Sequence, residues 1–324
     1  MGEFELIDRY FKRPVVRNAL GIGDDCALLA PAAGMQLAVS SDMLVEGRHF
    51  LSTVDPIKLG HKALAVNLSD LAACGAKPLA FSLALSMPRV EEAWLQGFSK
   101  GLFALADAHG CELVGGDTTQ GPLNICITVF GEVPTGQALL RSGARAGDDI
   151  YARGSLGDAR LALEVFRGTL SVPAEVFEAA RSRMEQPTPR IALGMALRGI
   201  ATAAIDISDG LLGDLGHILR LSKVGARIDT ADAIDLVAAF RDPSWTVGRP
   251  GADRQLEFVL AGGDDYELAF TAPVAARDAV DTAARSARTA VTRIGRIEAE
   301  PGLRLAGPDG VLPDRHYASF DHFA

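Results

Sequence analysis

Apolar and polar positions along the first half of the chain predict short strands separated by long helices. Residues 36–40 form a short apolar run and residues 124–130 show partial alternation, which predicts two strands. Residues 56–75 carry apolar residues at helical spacing, so a long helix is predicted there. A second helix is predicted from about residue 91 to 109, where Gly110 supplies a C-cap.

The second half is predicted to hold further strands and helices, after a loop with glycine and proline at residues 135–148. We place the domain boundary in this loop, which gives an N-terminal domain at 1–137 and a C-terminal domain at 138–324. The predicted elements are strands at 149–152 and 203–207 and helices at 158–167, 174–184, 190–199 and 211–222. Residues 239–254 have no apolar period, which predicts an exposed loop. Both halves mix strands and helices, so we expect an α/β (α+β) fold.

The composition is that of a globular protein, since 48% of the 324 residues are hydrophobic and 23% are charged. This length suits about two domains. No apolar run of about 18 residues occurs, so no membrane helix is expected. The N-terminus lacks the basic and apolar segments of a secretory signal. Four scattered cysteines form no CxxC pair, which argues against disulfides or structural zinc and favours a cytoplasmic location.

Acidic residues outnumber basic ones by 41 to 32, and the net charge is −9. No basic run with interleaved aromatic residues occurs, so nucleic acid is not an expected partner. The acidity is instead concentrated in a recurring pattern, in which an apolar segment is followed by Gly or Ser and then by Asp. The pattern occurs at residues 21–25, 40–42, 68–70, 115–117, 207–209 and 262–265.

A single Gly-Asp or Ser-Asp most often forms a turn or caps a helix, and Ser208-Asp209 before Gly210 could do so. The whole set is a stronger signal, because converging carboxylates without Lys or Arg repel one another unless a cation neutralises them. Oxygen donors without a His or Cys set favour Mg²⁺ over zinc. Mg²⁺ held by carboxylates usually serves phosphate groups.

The common phosphate-binding motifs are absent from the sequence. It has no GxxxxGK[ST] loop, no protein-kinase signature set and no GxSxG motif. Gly21-Ile-Gly23 lacks the third glycine of a dinucleotide fingerprint and is followed by two carboxylates. The residues alone therefore predict a magnesium-dependent, phosphate-handling enzyme without a standard nucleotide motif.

Longer motifs around these sites resemble the thiamine-monophosphate kinase family, in the superfamily of aminoimidazole ribonucleotide synthetase and selenophosphate synthetase. The motifs lie at residues 2–7, 21–28, 62–73, 115–119, 140–144, 205–211, 262–268 and 320–323. The resemblance implies an N-terminal α/β domain that binds ATP and Mg²⁺ and forms a homodimer through its sheet. It also implies a C-terminal α/β domain that completes the active site.

The resemblance further implies several Mg²⁺ ions, with ATP as co-substrate. The implied magnesium ligands are Asp25, Ser40, Ser41, Asp42, Asp70, Asp117, Asp206 and Asp209. Of these, the implied catalytic residues are Asp42, Asp117 and Asp209. Many relatives have Thr where Ser41 stands, and Ser keeps the hydroxyl. The implied nucleotide contacts are Gly116, Asp117, Arg141 and Ser208, and the guanidinium of Arg141 suits phosphate oxygens.

For thiamine monophosphate, the implied contacts are His49, Asp264 and Phe320. Phe320 would offer an aromatic face to a cationic or heteroaromatic ring. Asp264 stands where the family usually has Glu, and its reach is shorter by one methylene. Its contact is therefore expected through water or through Asp265.

The predicted reaction is direct in-line transfer of the ATP γ-phosphoryl group to the phosphate of thiamine monophosphate, which gives thiamine diphosphate. The accepting oxygen is already anionic near neutral pH, so no general base is required, and the obstacle is repulsion between anions. Two alternatives remain open at this point. One is a sibling ATP-dependent enzyme, such as selenophosphate synthetase or an aminoimidazole ribonucleotide synthetase-like protein. The other is a non-catalytic, partner-binding maturation factor with the same fold.

Overall fold

A computed structural model describes residues 2–18, 20–243, 245–307, 310–311 and 317. The chain folds as two compact units, Met1–Leu71 with Ala76–Ala138, and Ala72–Gly75 with Leu139–Ala324. Each unit has its own mixed sheet with helices, and the predicted α/β (α+β) class is confirmed. In the described part of the chain, no helix is long and apolar enough to cross a membrane.

The first unit contains a four-stranded sheet with strand order β1-β4-β2-β3. Its elements are α1 (Glu3–Tyr10), β1 (Met35–Val45), α2 (Pro56–Ala73), β2 (Lys77–Met87), α3 (Glu92–His109), β3 (Glu112–Gln120) and β4 (Asn124–Pro134). The pairs β1–β4 and β2–β4 are antiparallel, whereas β2 and β3 are parallel. A parallel pair needs a crossover, and α3 provides it.

The helices α2 and α3 approach each other closely enough for their backbones to touch. A Cβ at Gly60 would lie 2.0 Å from the carbonyl oxygen of Phe98, and one at Gly101 would lie 1.8 Å from that of Ile57. Glycine alone fits at such contacts, because any side chain would displace the neighbouring helix. This contact fixes the position of α2, which carries Asp70.

The strand β1 has two faces of different character. Ala38, Ser40 and Asp42 are half-buried. The alternate side chains Leu37, Val39 and Met43 are 44%, 58% and 53% exposed. Since successive side chains of a strand point to opposite faces, the first set lies on one face and these three apolar residues lie on the other.

The second unit contains a seven-stranded sheet with strand order β11-β10-β7-β9-β5-β8-β6. Its strands are β5 (Asp149–Arg153), β6 (Ala203–Ile207), β7 (Gly225–Asp229), β8 (Glu267–Ala272), β9 (Val291–Glu298), β10 (Gly302–Gly307) and β11 (Gly310–Val311). Its helices are α4 (Asp158–Phe166), α5 (Ala174–Glu185), α6 (Ile191–Ala196), α7 (Leu211–Ser222), α8 (Thr230–Ile234), α9 (Ala252–Ala261) and α10 (Arg277–Ser286). β7 and β10 pair in parallel, and the other pairs are antiparallel.

The predicted exposed loop at 239–254 is wrong in part. A short 3-10 helix spans Ala238–Arg241, and the side chain of Trp245 is fully buried. The Trp245 ring lies 5.2 Å from that of Phe240, which in turn stacks on Phe258 at 6.3 Å. One aromatic residue among polar neighbours creates no apolar period, so the pattern along the chain did not reveal this burial.

Candidate active site

One group of candidate residues lies in the first unit, where β1 passes α2. The Ser40 hydroxyl donates to Asp70 Oδ2 at 2.5 Å, and the Asp42 backbone N–H donates to Asn67 Oδ1 at 3.0 Å. Asn67 and Asp70 share one face of α2, because residues three apart in a helix are neighbours. Alternate residues of a strand also share a face, so Ser40 and Asp42 do so in β1. Ser40, Asp42 and Asp70 therefore come together.

Ser41 does not join this group through its side chain, contrary to what the resemblance implied. Its hydroxyl donates to the Ile127 carbonyl at 3.2 Å and lies 3.0 Å from Thr128 Oγ1. The alternation of β1 directs it to the opposite face of the sheet.

A second group lines a cavity of about 150 Å³ in the first unit. The N-terminal loop contributes Asp24 and Asp25 to its wall, and β3 contributes Gly116, Asp117 and Thr118. Two sites that are far apart in sequence, at 21–25 and 115–117, thus face one space. The same wall has apolar side chains from α1, from the residue that follows α1 and from β2, namely Ile7, Phe11 and Leu83.

Gly116 allows β3 to lie against β2 at this cavity. Its φ is +144°, and a Cβ there would lie 1.8 Å from the carbonyl oxygen of Leu83. An L-residue with a side chain cannot occupy this position without moving β2. The glycine in the Gly-Gly-Asp motif is thus a requirement of the backbone next to Asp117.

His49 follows β1 in a tight turn of the first unit. The His49 Nδ1 atom accepts a bond of 3.0 Å from the Val45 backbone N–H. The His49 backbone N–H donates to the Val45 carbonyl at 3.0 Å. Since Nδ1 is an acceptor, the imidazole is the tautomer that carries its proton on Nε2.

The remaining candidate residues lie in the second unit, around the loop between β6 and α7. Asp214 Oδ2 accepts bonds of 3.0, 3.1 and 3.1 Å from the backbone N–H groups of Ser208, Asp209 and Gly210. Burial and the charge of Asp209 raise the pKa of Asp214 to about 6, although these bonds oppose the rise. Asp206 is buried in β6, one residue before that strand ends. Asp214, which the sequence analysis did not single out, thus holds the Ser208-Asp209 loop in shape.

The loop at 262–266 lies beside the Ser208-Asp209 loop. The Asp264 backbone N–H donates to the Ser208 carbonyl at 2.7 Å, and that of Tyr266 donates to the Ile207 carbonyl at 2.8 Å. Asp264 has a φ of +62° and Tyr266 a φ of +50°. Such values are strained for residues with side chains and cluster at functional sites. Asp264 is thereby brought to the same end of β6 as Asp206, Ser208 and Asp209.

The acidic residues that follow Asp264 have structural partners. The Asp265 carboxylate accepts the Gly157 backbone N–H at 3.0 Å, and burial of the carboxyl raises the pKa of Asp265 well above its usual value. Glu267 accepts two bonds each from Arg153 and Arg190, at 2.6 to 2.9 Å. Asp265 therefore ties the start of β8 to the start of α4. This structural contact does not fit the expectation that Asp265 contacts the substrate in place of Asp264.

Arg141 is held near the C-terminal end of α7. Ser222 Oγ accepts the backbone N–H groups of Gly143 and Ala144 at 3.1 and 3.2 Å, which fixes the turn that begins with Arg141. Arg220 Nη2 lies 2.6 Å from His217 Nδ1, and since arginine only donates, this imidazole is neutral. Burial, followed by the charges of Arg220 and Arg141, lowers the pKa of His217. The sequence had not singled out His217 and Arg220, although both are polar residues of α7 and lie three residues apart.

The donors in both units fit magnesium by their chemistry. They are carboxylate and hydroxyl oxygens, which Mg²⁺ prefers. Among the described residues, no three Asp, Glu, His or Cys side chains are close enough to hold a metal by themselves. Mg²⁺ commonly binds one or two carboxylates together with substrate phosphates and water, so a closed protein cage is not required. Phe320 lies outside the described residues.

Both halves of the chain match family models of the same group. Residues 23–133 match the N-terminal domain of AIR synthase related proteins, and residues 145–307 match their C-terminal domain. The chain is therefore an AIR synthase related protein by both of its halves.

Closer relatives define the family within this class. A thiamine-monophosphate kinase of Salmonella typhimurium is 47% identical over 331 residues, covering 100% of this chain and 98% of the relative. The crystal structure of thiamine-monophosphate kinase from Stenotrophomonas maltophilia K279a is 45% identical, with a TM-score of 0.82 over 93% of this chain and 94% of that one. AaThiL complexed with AMPPCP and TMP is 28% identical, with a TM-score of 0.73 over 93% and 91%. The chain belongs to the thiamine-monophosphate kinase family and is a kinase, as the sequence predicted.

Proposed function

We propose that this chain transfers the γ-phosphoryl group of ATP to thiamine monophosphate and releases thiamine diphosphate and ADP. The observation that carries the proposal is the likeness to AaThiL, which was solved with AMPPCP and TMP and matches 93% of this chain. The cavity that holds Asp25 and Asp117 supports it, because a phosphate chain with bound cations suits such a wall.

Magnesium is the cation that we propose for these carboxylates. In the first unit Asp25, Asp42, Asp70 and Asp117 would hold it, and in the second unit Asp206 and Asp209 would do so. When bound, Mg²⁺ neutralises phosphate charge in the ground state and in the transition state. The Ser40–Asp70 bond supports this role, because it presents two oxygen ligands side by side.

The chain's own residues would contribute mainly by positioning. The guanidinium of Arg141 is exposed on its turn and can bind phosphate oxygens through two parallel bonds. The loop at Ser208 is held by Asp214, so its orientation is set before a ligand arrives. The accepting phosphate oxygen is already anionic, so no side chain has to remove a proton. Alignment of the two phosphates then accounts for much of the rate.

A homodimer is the assembly that we propose. Leu37, Val39 and Met43 form an apolar stripe on the exposed face of β1, and an apolar patch of this kind marks an association surface. The same face of β4 carries the half-buried side chains of Cys126 and Thr128. Two such sheets could cover each other through a self-complementary interface.

The decisive experiment is a phosphoryl-transfer assay with purified protein, ATP, Mg²⁺ and thiamine monophosphate. Equal amounts of thiamine diphosphate and ADP are expected, and a chelator should abolish both. A sibling enzyme would leave thiamine monophosphate unchanged while it still bound ATP. A non-catalytic maturation factor would form neither product.

A further inference from the structure

The segment that leads to the Asp24-Asp25 loop is fixed by one carboxylate of β3. Glu112, the first residue of β3, accepts the backbone N–H groups of Val16, Arg17 and Asn18 at 2.7, 2.9 and 3.1 Å. It also accepts Asn18 Nδ2 at 2.7 Å. Three successive amides that converge on one carboxylate leave the chain at this point little freedom to turn.

A second carboxylate holds the same segment at its far end. The buried Glu132 of β4 forms an ion pair with Arg17 and accepts the Ala32 backbone N–H at 3.1 Å. Arg17 also donates to the Pro78 carbonyl at 3.4 Å. The chain between residues 18 and 32 therefore begins and ends at points that are fixed to the sheet.

Apolar contacts position the middle of this segment over the sheet. Val15, Ala27 and Leu29 pack against a cluster formed by Leu79, Ala80 and Val114. Two of the three packing residues lie just after Asp25. The position of Asp25 relative to Asp117 thus depends on how this segment is attached to the sheet.

Glu112 is the attachment most directly linked to the candidate site. Five residues further along the same strand, β3 supplies Asp117 to the cavity that Asp25 also lines. Burial opposes ionisation of Glu112, but its bonds from residues 16–18 lower the pKa of this carboxyl below its usual value. It is therefore charged near neutral pH, and charge-assisted bonds are the stronger kind.

We propose that Glu112 is a positioning residue for the metal and nucleotide site. By binding the N–H groups of residues 16–18, it holds the Asp24-Asp25 loop so that Asp25 faces Asp117. This rests on the proposed function, since it assumes that these two carboxylates share a cation. Glu112 itself does not line the cavity.

The test compares Glu112→Gln with Asp107→Asn. Gln is nearly isosteric but is neutral and has lost one acceptor oxygen, so it cannot hold all three amides. Asp107→Asn is the matched control, because Asp107 pairs with Arg13 on the same segment at 3.2 Å without touching residues 16–18. Mn²⁺ is the probe, and its binding is followed by electron paramagnetic resonance in the presence of a non-hydrolysable ATP analogue.

For Glu112→Gln we expect about tenfold weaker Mn²⁺ binding and a matching rise in the Mg²⁺ concentration at half-maximal rate. The kcat at saturating Mg²⁺ should stay within about twofold of wild type, since the reacting groups are intact. Glu112→Asp keeps the charge and should bind Mn²⁺ more tightly than Glu112→Gln. The control should bind Mn²⁺ like wild type.

Unchanged Mn²⁺ binding in folded Glu112→Gln would overturn the proposal, as would equal weakening in the control. A lower Tm with an unchanged Mg²⁺ dependence would assign Glu112 a structural role and also overturn it. The Mn²⁺ measurement does not require turnover. A wild-type protein that binds Mn²⁺ with the nucleotide but leaves thiamine monophosphate unchanged would contradict the proposed function. The comparison of Mn²⁺ binding between the variants would still test the positioning role of Glu112.

Discussion

At the scale of single residues, two adjacent glycines of β3 differ sharply in what they allow. Gly116 has a φ of +144° and a Leu83 carbonyl oxygen 1.8 Å from its hypothetical Cβ, whereas a Cβ at Gly115 would meet nothing within 4 Å. The Gly-Gly-Asp motif in the sequence gives no reason to distinguish the two glycines. The backbone shows that the second of them sets the contact between β3 and β2.

Gly116→Ala is therefore expected to destabilise the protein by roughly 3 kcal/mol, because it adds a clash to a strained φ. Thermal unfolding of both glycine variants measures this, with Gly115→Ala as the control. A Gly116→Ala variant as stable as Gly115→Ala would show that β2 can retreat from β3.

Asp117→Asn is expected to lower kcat by about 100-fold or more, since it removes one charge from the cavity where phosphate charge has to be offset. The side chain is exposed, so the Tm should change little. Steady-state rates at saturating Mg²⁺ measure the effect, and Asp232→Asn on the exposed side of α8 is the control. Full activity in a folded Asp117→Asn variant would remove this residue from the site.

At the scale of elements, β8 is tied to its surroundings by ionic contacts. Glu267 is buried and receives guanidinium groups from β5 and from the residue before α6. These contacts set the direction in which the chain enters β8 after the strained Asp264 loop. The motif at residues 262–268 thus contains one candidate substrate contact, Asp264, and two structural carboxylates, Asp265 and Glu267.

Glu267→Gln should destabilise the second unit by about 3 kcal/mol, because two largely buried guanidinium groups lose their counter-charge. Chemical denaturation with a fluorescence readout measures the free energy of unfolding. Glu257→Gln is the control, since Glu257 is half exposed and lies 4.0 Å from Arg160. Equal stability of the two variants would show that the Arg153 and Arg190 side chains find other partners.

A similar contact joins the first residues of β5 and α10, and it predicts acid sensitivity. Arg277 donates to both oxygens of Asp149 at 2.7 and 3.0 Å and lowers the pKa of that carboxyl, although burial opposes the shift. The ion pair stabilises the fold above the unfolded-state pKa of about 3.9 and is lost as pH falls through the lower folded-state pKa. The Tm of Asp149→Asn should therefore fall less steeply below about pH 4 than that of wild type. Asp278→Asn, an exposed change on α10, should follow the wild-type curve.

Most of the regular elements with a strong period could be predicted from the sequence. The helices α2, α3 and α7 and the strands β4 and β6 lie where the apolar pattern indicated them. The strand β2 was missed, although large apolar residues alternate with Ala and Ser from Leu79 to Met87. Candidate site residues were predicted where an Asp follows Gly or Ser. Asn67 and Glu112 were not predicted, since their role depends on contacts between distant segments. Asp214 was not predicted either, although its contacts lie only four to six residues away.

At the scale of the whole molecule, each unit carries its own set of candidate residues on its own sheet. The first holds Ser40, Asp42 and Asp70 together and places Asp25 with Asp117. The second groups Asp206, Ser208, Asp209 and Asp264 at one end of β6. Each unit also matches a family model by itself.

The proposed homodimer predicts a mass of twice the 34.1 kDa chain in light scattering after size exclusion. Val39→Asp should give monomers, because it introduces a charge into the apolar stripe on β1. Val90→Asp changes an apolar residue that is 45% exposed elsewhere in the first unit and should leave the mass unchanged. A monomeric wild type, or a dimeric Val39→Asp variant, would contradict the proposed interface.

The contact between α2 and α3 has a consequence for how this sequence can drift. Every glycine codon is one nucleotide away from an alanine codon, so alanine at Gly60 or Gly101 arises readily by point mutation. Each such change would meet a carbonyl oxygen of the opposite helix at about 2 Å and displace the helix that carries Asp70. In a deep mutational scan these two positions should tolerate as little as the carboxylates do, although neither touches a substrate.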